Sequence, residues 1–175
     1  MPTAAFDIIA LFMEDHEKLQ RLFARFARIK GGDDDAERRA IVEVACTELV
    51  IHATVEEELL YPALREALER QDLLDEAEVE NKIARQLIDE LELMEPGDHL
   101  YDAKFFVLSE YQNHHMNEEQ NRIFPLIGMA DLDFADLLGD IKQRRFELRS
   151  GFGLPDHAYD DDGRFQMRIA PSVRH

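Results

Sequence analysis

Two segments of this sequence, HATVEEELLYP at residues 52–62 and HMNEEQNRIFP at residues 115–125, share one pattern. Each begins with His, continues with Glu four residues later, and ends with an aromatic residue followed by Pro. Residues four apart on an α-helix differ by about 40° in direction, so they project from the same side. Each segment therefore predicts a helix that presents an imidazole and a carboxylate together. The two pairs are His52 with Glu56 and His115 with Glu119.

Apolar residues recur at three- and four-residue steps through most of the chain, which predicts long amphipathic helices. GGDDD at residues 31–35 and EPGD at 95–98 separate them, because glycine and proline end helices and aspartate caps the next one. Each proline within the two segments removes a backbone hydrogen bond and is expected to kink or end its helix. The predicted helices cover about residues 4–30, 36–71, 72–95, 99–129 and 131–149.

This order predicts an all-α fold, an antiparallel up-down-up-down four-helix bundle with an additional C-terminal helix and an extended tail. We expect one domain at residues 1–149, with its core at 4–129 and the extra helix at 131–149. Residues 150–175 mix Gly, Pro and acidic residues and are predicted to form the tail.

Composition narrows the classes of function. The chain has 38 acidic and 20 basic residues, a formal net charge of −18. Nucleic acids and anionic membranes attract clustered Lys and Arg, so neither is an expected partner. No apolar run is long enough to span a bilayer, and the N-terminal segment lacks the features of a signal peptide. With a single cysteine, Cys46, no internal disulfide can form, and we expect a cytoplasmic protein.

Polar ligand-type residues interrupt the apolar stripes of three predicted helices. His16 lies on the stripe of the first helix, and the two His–Glu pairs lie on those of the second and fourth. Burying such groups is costly unless they have partners. Opposed pairs of this kind hold two metal ions in four-helix bundles, so the pattern predicts a dinuclear metal site. Zinc also suits His and carboxylate ligands, although two facing pairs favour two ions over one tetrahedral ion.

The sequence resembles a hemerythrin-like (HHE cation-binding) domain. The likeness rests on DHEKL around His16 and on the two segments quoted above, and it covers about residues 6–128. The resemblance implies a non-haem di-iron centre, two iron ions joined by carboxylates and an oxo or hydroxo bridge. The ligands it implies are His16, His52, Glu56, His115 and Glu119.

The third predicted helix departs from the family, which usually supplies a His there. The corresponding stretch is EVENKIARQLIDEL, and aligning its leucines puts Asn81 at the position of that His. The neutral amide of Asn is a weak ligand for iron. Glu80 neighbours Asn81, and its spacing to Ile83, Leu87 and Leu91 places it at least as centrally on the inward face of this helix. We therefore predict that Glu80 is the ligand from this helix. The alternative is that Glu80 is solvated and the second metal is weakly held or absent.

The resemblance implies a protein that binds or senses a small diatomic ligand, O2 or NO, or that handles iron. A carboxylate-rich site also agrees with a di-iron enzyme that oxidises iron or consumes peroxide, so enzymatic activity stays open. A third reading is a degenerate bundle whose fifth helix and tail associate with a protein. The pattern assigns no catalytic residue and identifies no protein partner.

Overall fold

The computed structural model describes residues 3–68 and 71–154, and within these ranges the regular structure is entirely helical. The predicted all-α bundle with an extra C-terminal helix is confirmed. Seven α-helices and two π-helical segments follow one another in residues 3–68 and 71–154. They are α1 (Thr3–Ile29), α2 (Asp35–Val55), π1 (Glu56–Leu60), α3 (Tyr61–Ala67), α4 (Gln71–Glu92), α5 (Tyr101–Glu118), π2 (Glu119–Ile123), α6 (Phe124–Ile127) and α7 (Phe134–Gly151). Most of the predicted tail, residues 155–175, lies outside the described residues.

Helices α1 and α2 are antiparallel neighbours, as are α4 and α5. Cross-helix contacts fix this direction, because residue numbers rise on one helix as they fall on the other. Between α1 and α2 the contacts are Arg25 with Glu37, Lys18 with Glu48, and Asp15 with His52. Between α4 and α5 they are Glu90 with Lys104 and Glu80 with His115. Consecutive antiparallel helices give the predicted up-down-up-down arrangement.

The chain reversal between α1 and α2 follows from its residues. Gly31 adopts a positive φ of 73°, a conformation that glycine accepts without the steric cost of a side chain. Asp34 then caps α2 by accepting a 2.9 Å hydrogen bond from the Glu37 backbone N–H. The predicted roles of the glycines and aspartates in GGDDD are confirmed.

Neither proline of the repeated segments ends its helix. Instead, a π-helical turn precedes each of them, and each turn begins at the glutamate of the repeat. The backbone N–H of Tyr61 bonds to the carbonyl of Glu56, and that of Phe124 bonds to the carbonyl of Glu119. A hydrogen bond between residues five apart, instead of the four of an α-helix, adds one residue to the turn. Such π-helical turns are frequent at functional sites. The two glutamates thus stand where the helix widens.

The interior consists of two apolar clusters with polar groups between them. One cluster is built around Phe26, Leu49 and Phe105, and the other around Phe12, Leu64 and Ile127. Between them lie six buried polar side chains, which we call the polar layer. Its members are His16, His52, Glu56, Asn81, His115 and Glu119.

Helix α7 packs along α1 and α2, on the outside of the four-helix core. Its first turn is capped by Asp133, which accepts hydrogen bonds from the backbone N–H groups of Ala135 and Asp136. Across the described ranges, no helix combines the length and apolar character needed to cross a membrane.

Candidate metal centre

The polar layer brings together side chains from α1, α2, π1, α4, α5 and π2 at one depth in the bundle. Three imidazoles and two carboxylates are its chemically reactive members, and all five groups are buried. Each comes from a position that sequence spacing predicts to face inward. They are His16, His52, Glu56, His115 and Glu119.

One carboxylate oxygen lies in the middle of the three imidazoles. Glu119 Oε2 is 3.2 Å from Nε2 of His16, 3.7 Å from Nε2 of His52 and 3.7 Å from Nε2 of His115. The Nε2 atoms of His16 and His52 are 3.3 Å apart. Ligands bound at about 2.1 Å lie about 3.0 Å apart at right angles and about 3.4 Å apart in a tetrahedron. The two shorter distances already match the spacing of ligands around one metal ion, and the two distances of 3.7 Å are slightly longer.

These donors divide into two groups that share one member. His16, His52 and Glu119 form the first group, and Glu56, His115 and Glu119 form the second, with the ligand atoms of each group within 4.8 Å of one another. Glu56 also approaches the first group, since its Oε1 is 3.1 Å from Nε2 of His52. A shared carboxylate between two groups is the arrangement of a bridging ligand.

The hydrogen bonding of these atoms fits a cation. Glu56 Oε1, His115 Nε2 and Glu119 Oε2 are buried, and none has a hydrogen-bond partner in the described part of the chain. The approaches of Glu119 Oε2 to the imidazoles are close but lack hydrogen-bond geometry. A buried polar atom without a partner costs about 1–3 kcal/mol, and charged groups cost more. Metal ions at these positions would satisfy all three atoms at once.

The second nitrogen of each imidazole is held by another side chain. His52 Nδ1 is 3.3 Å from Asp15 Oδ2, and His115 Nδ1 is 2.6 Å from Glu80 Oε2. Metal-binding histidines characteristically donate this N–H to a carboxylate, carbonyl or water, which fixes the tautomer and leaves Nε2 free to bind. Both contacts therefore favour Nε2 as the metal-facing atom.

His16 is held differently. The side-chain amide nitrogen of Gln120 is 2.9 Å from His16 Nδ1. Oxygen and nitrogen of an amide exchange places by a half-turn, so the same residue can instead accept the Nδ1 proton. In that orientation Nε2 of His16 is free to bind a metal ion.

Helix α4 contributes Asn81 to the polar layer and places Glu80 beside it. The buried stripe of α4 runs through Ala77, Asn81, Ala84, Ile88 and Leu91. Ile83, which the sequence predicts to face inward, is 38% exposed. The buried face of α4 is therefore centred closer to Asn81 than the sequence predicts. Asn81 is 2% exposed, and its Nδ2 donates to Glu56 Oε2 at 3.4 Å.

Glu80 reaches the far nitrogen of His115 instead of the nitrogen that faces Glu119. The prediction that Glu80 is itself a ligand stays a prediction, because binding would require its carboxylate to leave His115 Nδ1. On its outer side Glu80 lies near His114 and Glu118, with ligand atoms within 4.8 Å of one another. His114 is exposed, so this group belongs to the surface.

A narrow cleft leads from the surface to the polar layer between α4 and the α5–π2 segment. Glu76 and Arg122 line its outer part, and His115 and Glu119 also line it. Its free volume is about 10 Å³, which is about the room that one water molecule requires. Only a very small molecule fits without movement of side chains.

Burial and mutual repulsion shift the pKa values in the layer. Burial, together with the charge of Glu119, raises the pKa of Glu56 to about 7. Burial opposes protonation of His115, but the charge of Glu119 and the hydrogen bond to Glu80 raise its pKa to about 9. Burial also raises the pKa of Tyr61, whose hydroxyl donates a 3.0 Å hydrogen bond to Glu119 Oε1. The layer therefore retains protons that cations could replace.

Comparison with known proteins identifies the family of this chain. The family described as hemerythrin HHE cation binding domain matches residues 7–127. The chain belongs to the hemerythrin HHE family. It is accordingly a metal-binding helical domain, and the resemblance inferred from the sequence is confirmed.

The hemerythrin HHE fold is also seen in a solved structure. The crystal structure of a hemerythrin HHE cation binding domain-containing protein from Mycobacterium kansasii superimposes with a TM-score of 0.68 at 20% sequence identity. The match covers 81% of this chain and 86% of that one. At this identity the likeness supports the fold alone. No curated protein matches the chain significantly.

Sequence reasoning missed two side chains that contact ligands of the HHE centre, Asp15 and Gln120, and a third, Arg145, that contacts Asp15. Asp15 and Gln120 each adjoin a ligand in the sequence, and Arg145 of α7 bonds to Asp15. A residue next to a ligand points about 100° around the helix, so its contact with an imidazole depends on packing against another helix. The one feature of the sequence that could have indicated Asp15 as a partner of a ligand is its position next to His16.

Proposed function

We propose that this hemerythrin HHE protein is a non-haem di-iron protein that binds or senses O2 or NO, or handles iron, at a carboxylate-bridged dinuclear site. One observation carries the proposal. Glu119 Oε2 lies among three imidazole Nε2 atoms without a hydrogen bond to any of them, which is the position of a bridging ligand. The proposed ligands are His16, His52, Glu56, His115 and Glu119.

The donor count supports a site that is open to small ligands. Three imidazole nitrogens and four carboxylate oxygens give at most seven donor atoms from these five side chains. Two six-coordinate ions have twelve positions, so external ligands must complete the coordination. When bound, two iron ions supply one-electron redox chemistry and exchangeable positions for a small molecule.

The surrounding side chains keep the site dry and limit what reaches it. The Phe12 ring meets the His52 ring edge-on at 5.4 Å, and the Phe124 ring stacks on that of His16 at 5.5 Å. Apolar walls exclude bulk water, which strengthens electrostatic interactions inside. Because the cleft beside His115 holds about one water-sized molecule, diatomic ligands fit better than organic substrates.

Metal analysis and ligand addition test the proposal. Protein purified without added metal, or reconstituted anaerobically with Fe²⁺, is expected to hold about two iron ions per chain. Addition of O2 or NO should then change the near-ultraviolet absorption and the Mössbauer spectrum, reversibly for a carrier or sensor. Glu119→Ala serves as the control that removes the proposed bridge. Retention of one ion per chain, or none, would overturn a dinuclear site.

A second candidate function is a di-iron enzyme that oxidises Fe²⁺ or consumes peroxide. The observation in its favour is that α4 contains no His and contributes Asn81 and Glu80 at this level. A site with fewer nitrogen donors and more oxygen donors suits higher oxidation states. Steady turnover of peroxide, or of Fe²⁺ with O2, by the loaded protein and not by Glu119→Ala would identify the enzyme. Loss of all metal in every preparation would instead favour a degenerate interaction module.

A further inference from the structure

Helix α7 lies beyond residues 7–127, the part that matches the HHE family, yet it contacts the helices that carry the ligands. Three of its arginines bind carboxylates near ligand residues. Arg144 binds Glu58, Arg145 binds Asp15, and Arg149 binds Glu48. Of these three carboxylates, Asp15 is the one that contacts a proposed ligand directly.

Arg145 and Asp15 connect α7 to the proposed ligand His52. Both guanidinium Nη atoms of Arg145 donate to the carboxylate of Asp15, and the Nη2–Oδ1 distance is 2.7 Å. Oδ2 of the same carboxylate is 3.3 Å from Nδ1 of His52. A two-pronged arginine–carboxylate pair has a fixed geometry, so it holds Asp15 in one orientation. Asp15 is itself buried, which leaves it little freedom to turn elsewhere.

The imidazole on the opposite side of the centre has a different partner. His115 Nδ1 lies 2.6 Å from Glu80, and in residues 3–68 and 71–154 no Lys or Arg forms an ion pair with Glu80. A carboxylate that shares its charge with arginine is a weaker acceptor than one that does not. The N–H of His52 therefore meets a weaker acceptor than the N–H of His115 does. Because the partner of the outer N–H tunes the donor strength of Nε2, the two metal positions are not equivalent.

We propose that Arg145 is a positioning residue of the metal centre, which acts through Asp15 to fix the tautomer and orientation of the His52 imidazole. Helix α7 is then a functional part of the centre in this protein. The inference rests on the proposed dinuclear site. It predicts that Arg145 strengthens the binding of the ion held by His16 and His52. The binding of the ion held by Glu56 and His115 should not depend on Arg145.

The substitution Arg145→Gln in the full-length protein tests this role, with Arg144→Gln as the matched control. Arg144 is the preceding residue of α7 and pairs with the exposed Glu58 and with Glu147, so its loss removes these ion pairs without touching Asp15. Titration with Co²⁺, followed by calorimetry and visible absorption, is expected to show two ions in the wild type. Arg145→Gln should weaken one of them about 10-fold or more, within the range seen when outer contacts of metal ligands are removed. The other ion should change less than about twofold.

A second readout does not depend on metal. Long-range proton–nitrogen NMR spectra of the metal-free protein report which nitrogen of His52 carries the proton. At a pH high enough for the His52 ring to be neutral, we expect the proton on Nδ1 in the wild type and in Arg144→Gln, and a mixture of tautomers in Arg145→Gln. Arg145→Lys retains charge but loses the two-pronged bond, so an intermediate result is expected. If Arg145→Gln does not fold, Arg145→Lys and Asp15→Asn provide the same comparison.

The outcomes separate this inference from the proposed function. Equal weakening of both ions, or equal effects of Arg145→Gln and Arg144→Gln, would show that α7 is only a structural brace and would overturn the role of Arg145. An unchanged His52 tautomer in Arg145→Gln would overturn it as well. Failure of the wild type to bind two ions would instead overturn the dinuclear site, whereas the tautomer measurement would still decide the action of Arg145 on His52.

Discussion

Oε2 of Glu80 lies 2.6 Å from Nδ1 of His115, while Nε2 of the same ring faces Glu119. Glu80 is thus placed to orient a ligand, and its predicted role as a ligand can be separated from this by experiment. Glu80→Gln removes the charge but keeps an oxygen that can accept the N–H. If Glu80 orients His115, two ions should remain bound, and the ion held by Glu56 and His115 should bind with about 10- to 100-fold lower affinity.

The same substitution gives a different result if Glu80 binds metal directly. Loss of an anionic ligand should then reduce the metal content from two ions toward one. Asn81→Ala is the control, because Asn81 is buried beside Glu56 but offers only a neutral amide. Plasma emission analysis of metal per chain, together with a competition titration, distinguishes the two results. A larger loss in Asn81→Ala than in Glu80→Gln would contradict both roles of Glu80.

Glu119 should be needed for the binding of both ions, whereas His16 and Glu56 should each be needed mainly for the binding of one. Glu119 belongs to both groups of donors, and the other two residues belong to one group each. We therefore expect Glu119→Ala to lose both ions and His16→Ala or Glu56→Ala to retain about one. Metal analysis of the three variants after identical reconstitution provides the measurement. Retention of one tightly held ion by Glu119→Ala would show that this carboxylate does not bridge.

The parts of this site that follow from local spacing could be predicted from the sequence. His52 with Glu56, and His115 with Glu119, share a helix face whatever the remainder of the fold does, and the apolar period places that face inward. The inward direction of α4 was harder to predict. Ile83 and Leu87 made Glu80 look central, whereas the packed helix turns Asn81 inward.

Other features depend on contacts between distant segments. The prolines at 62 and 125 predicted a kink or an end of each helix, whereas the structure has a π-helical turn before each proline and the helix continues beyond it. Arg145 and Asp15 are 130 positions apart, and no periodicity links them. Such pairs become visible only when α7 is seen to lie along α1 and α2.

Metal removal should lower thermal stability. An ion present at about 1,000 times its dissociation constant stabilises the folded state by about 4 kcal/mol. For a domain of this size each kcal/mol corresponds to about 2–4 °C, so chelation should lower Tm by about 8–16 °C per tightly bound ion. Differential scanning calorimetry with and without a chelator measures the effect. Glu119→Ala is the control and should melt at one temperature in both conditions; equal Tm values for the wild type would contradict a tightly held metal.

A substitution in the apolar cluster around Phe26, Leu49 and Phe105 should lower the stability of the fold without changing the number of metal ions bound. Phe105 is fully buried in this cluster, and its ring lies 4.5 Å from that of Phe26. Replacing a buried Phe by Ala costs about 3–5 kcal/mol. Phe105→Ala should therefore lower the free energy of unfolding by about that amount, measured in urea, while native protein still binds two ions. A loss of metal from the folded variant would show that the two regions are coupled.

Cys46 should be unreactive in the folded protein and should make it sensitive to alkali. Burial raises the pKa of its thiol from 9.0 to about 12. The thiol form is favoured in the folded state, so this contribution to stability is present below about pH 9 and is lost as the pH rises toward about 12. Each pH unit in that window should cost up to about 1.4 kcal/mol.

Two measurements check this behaviour against Cys46→Ala as the control. A thiol reagent at pH 8 should modify the native protein slowly and the urea-unfolded protein at once, because the thiolate is the reactive form. Between pH 9 and pH 11 the free energy of unfolding should fall more steeply for the wild type than for Cys46→Ala. Since burial also raises the pKa of Tyr101 to about 12, part of the decline should persist in the variant. Rapid labelling of native protein at pH 8 would mean that the helix carrying Cys46 opens readily. Burial would then not protect the Cys46 thiol from the reagent, which would contradict the prediction.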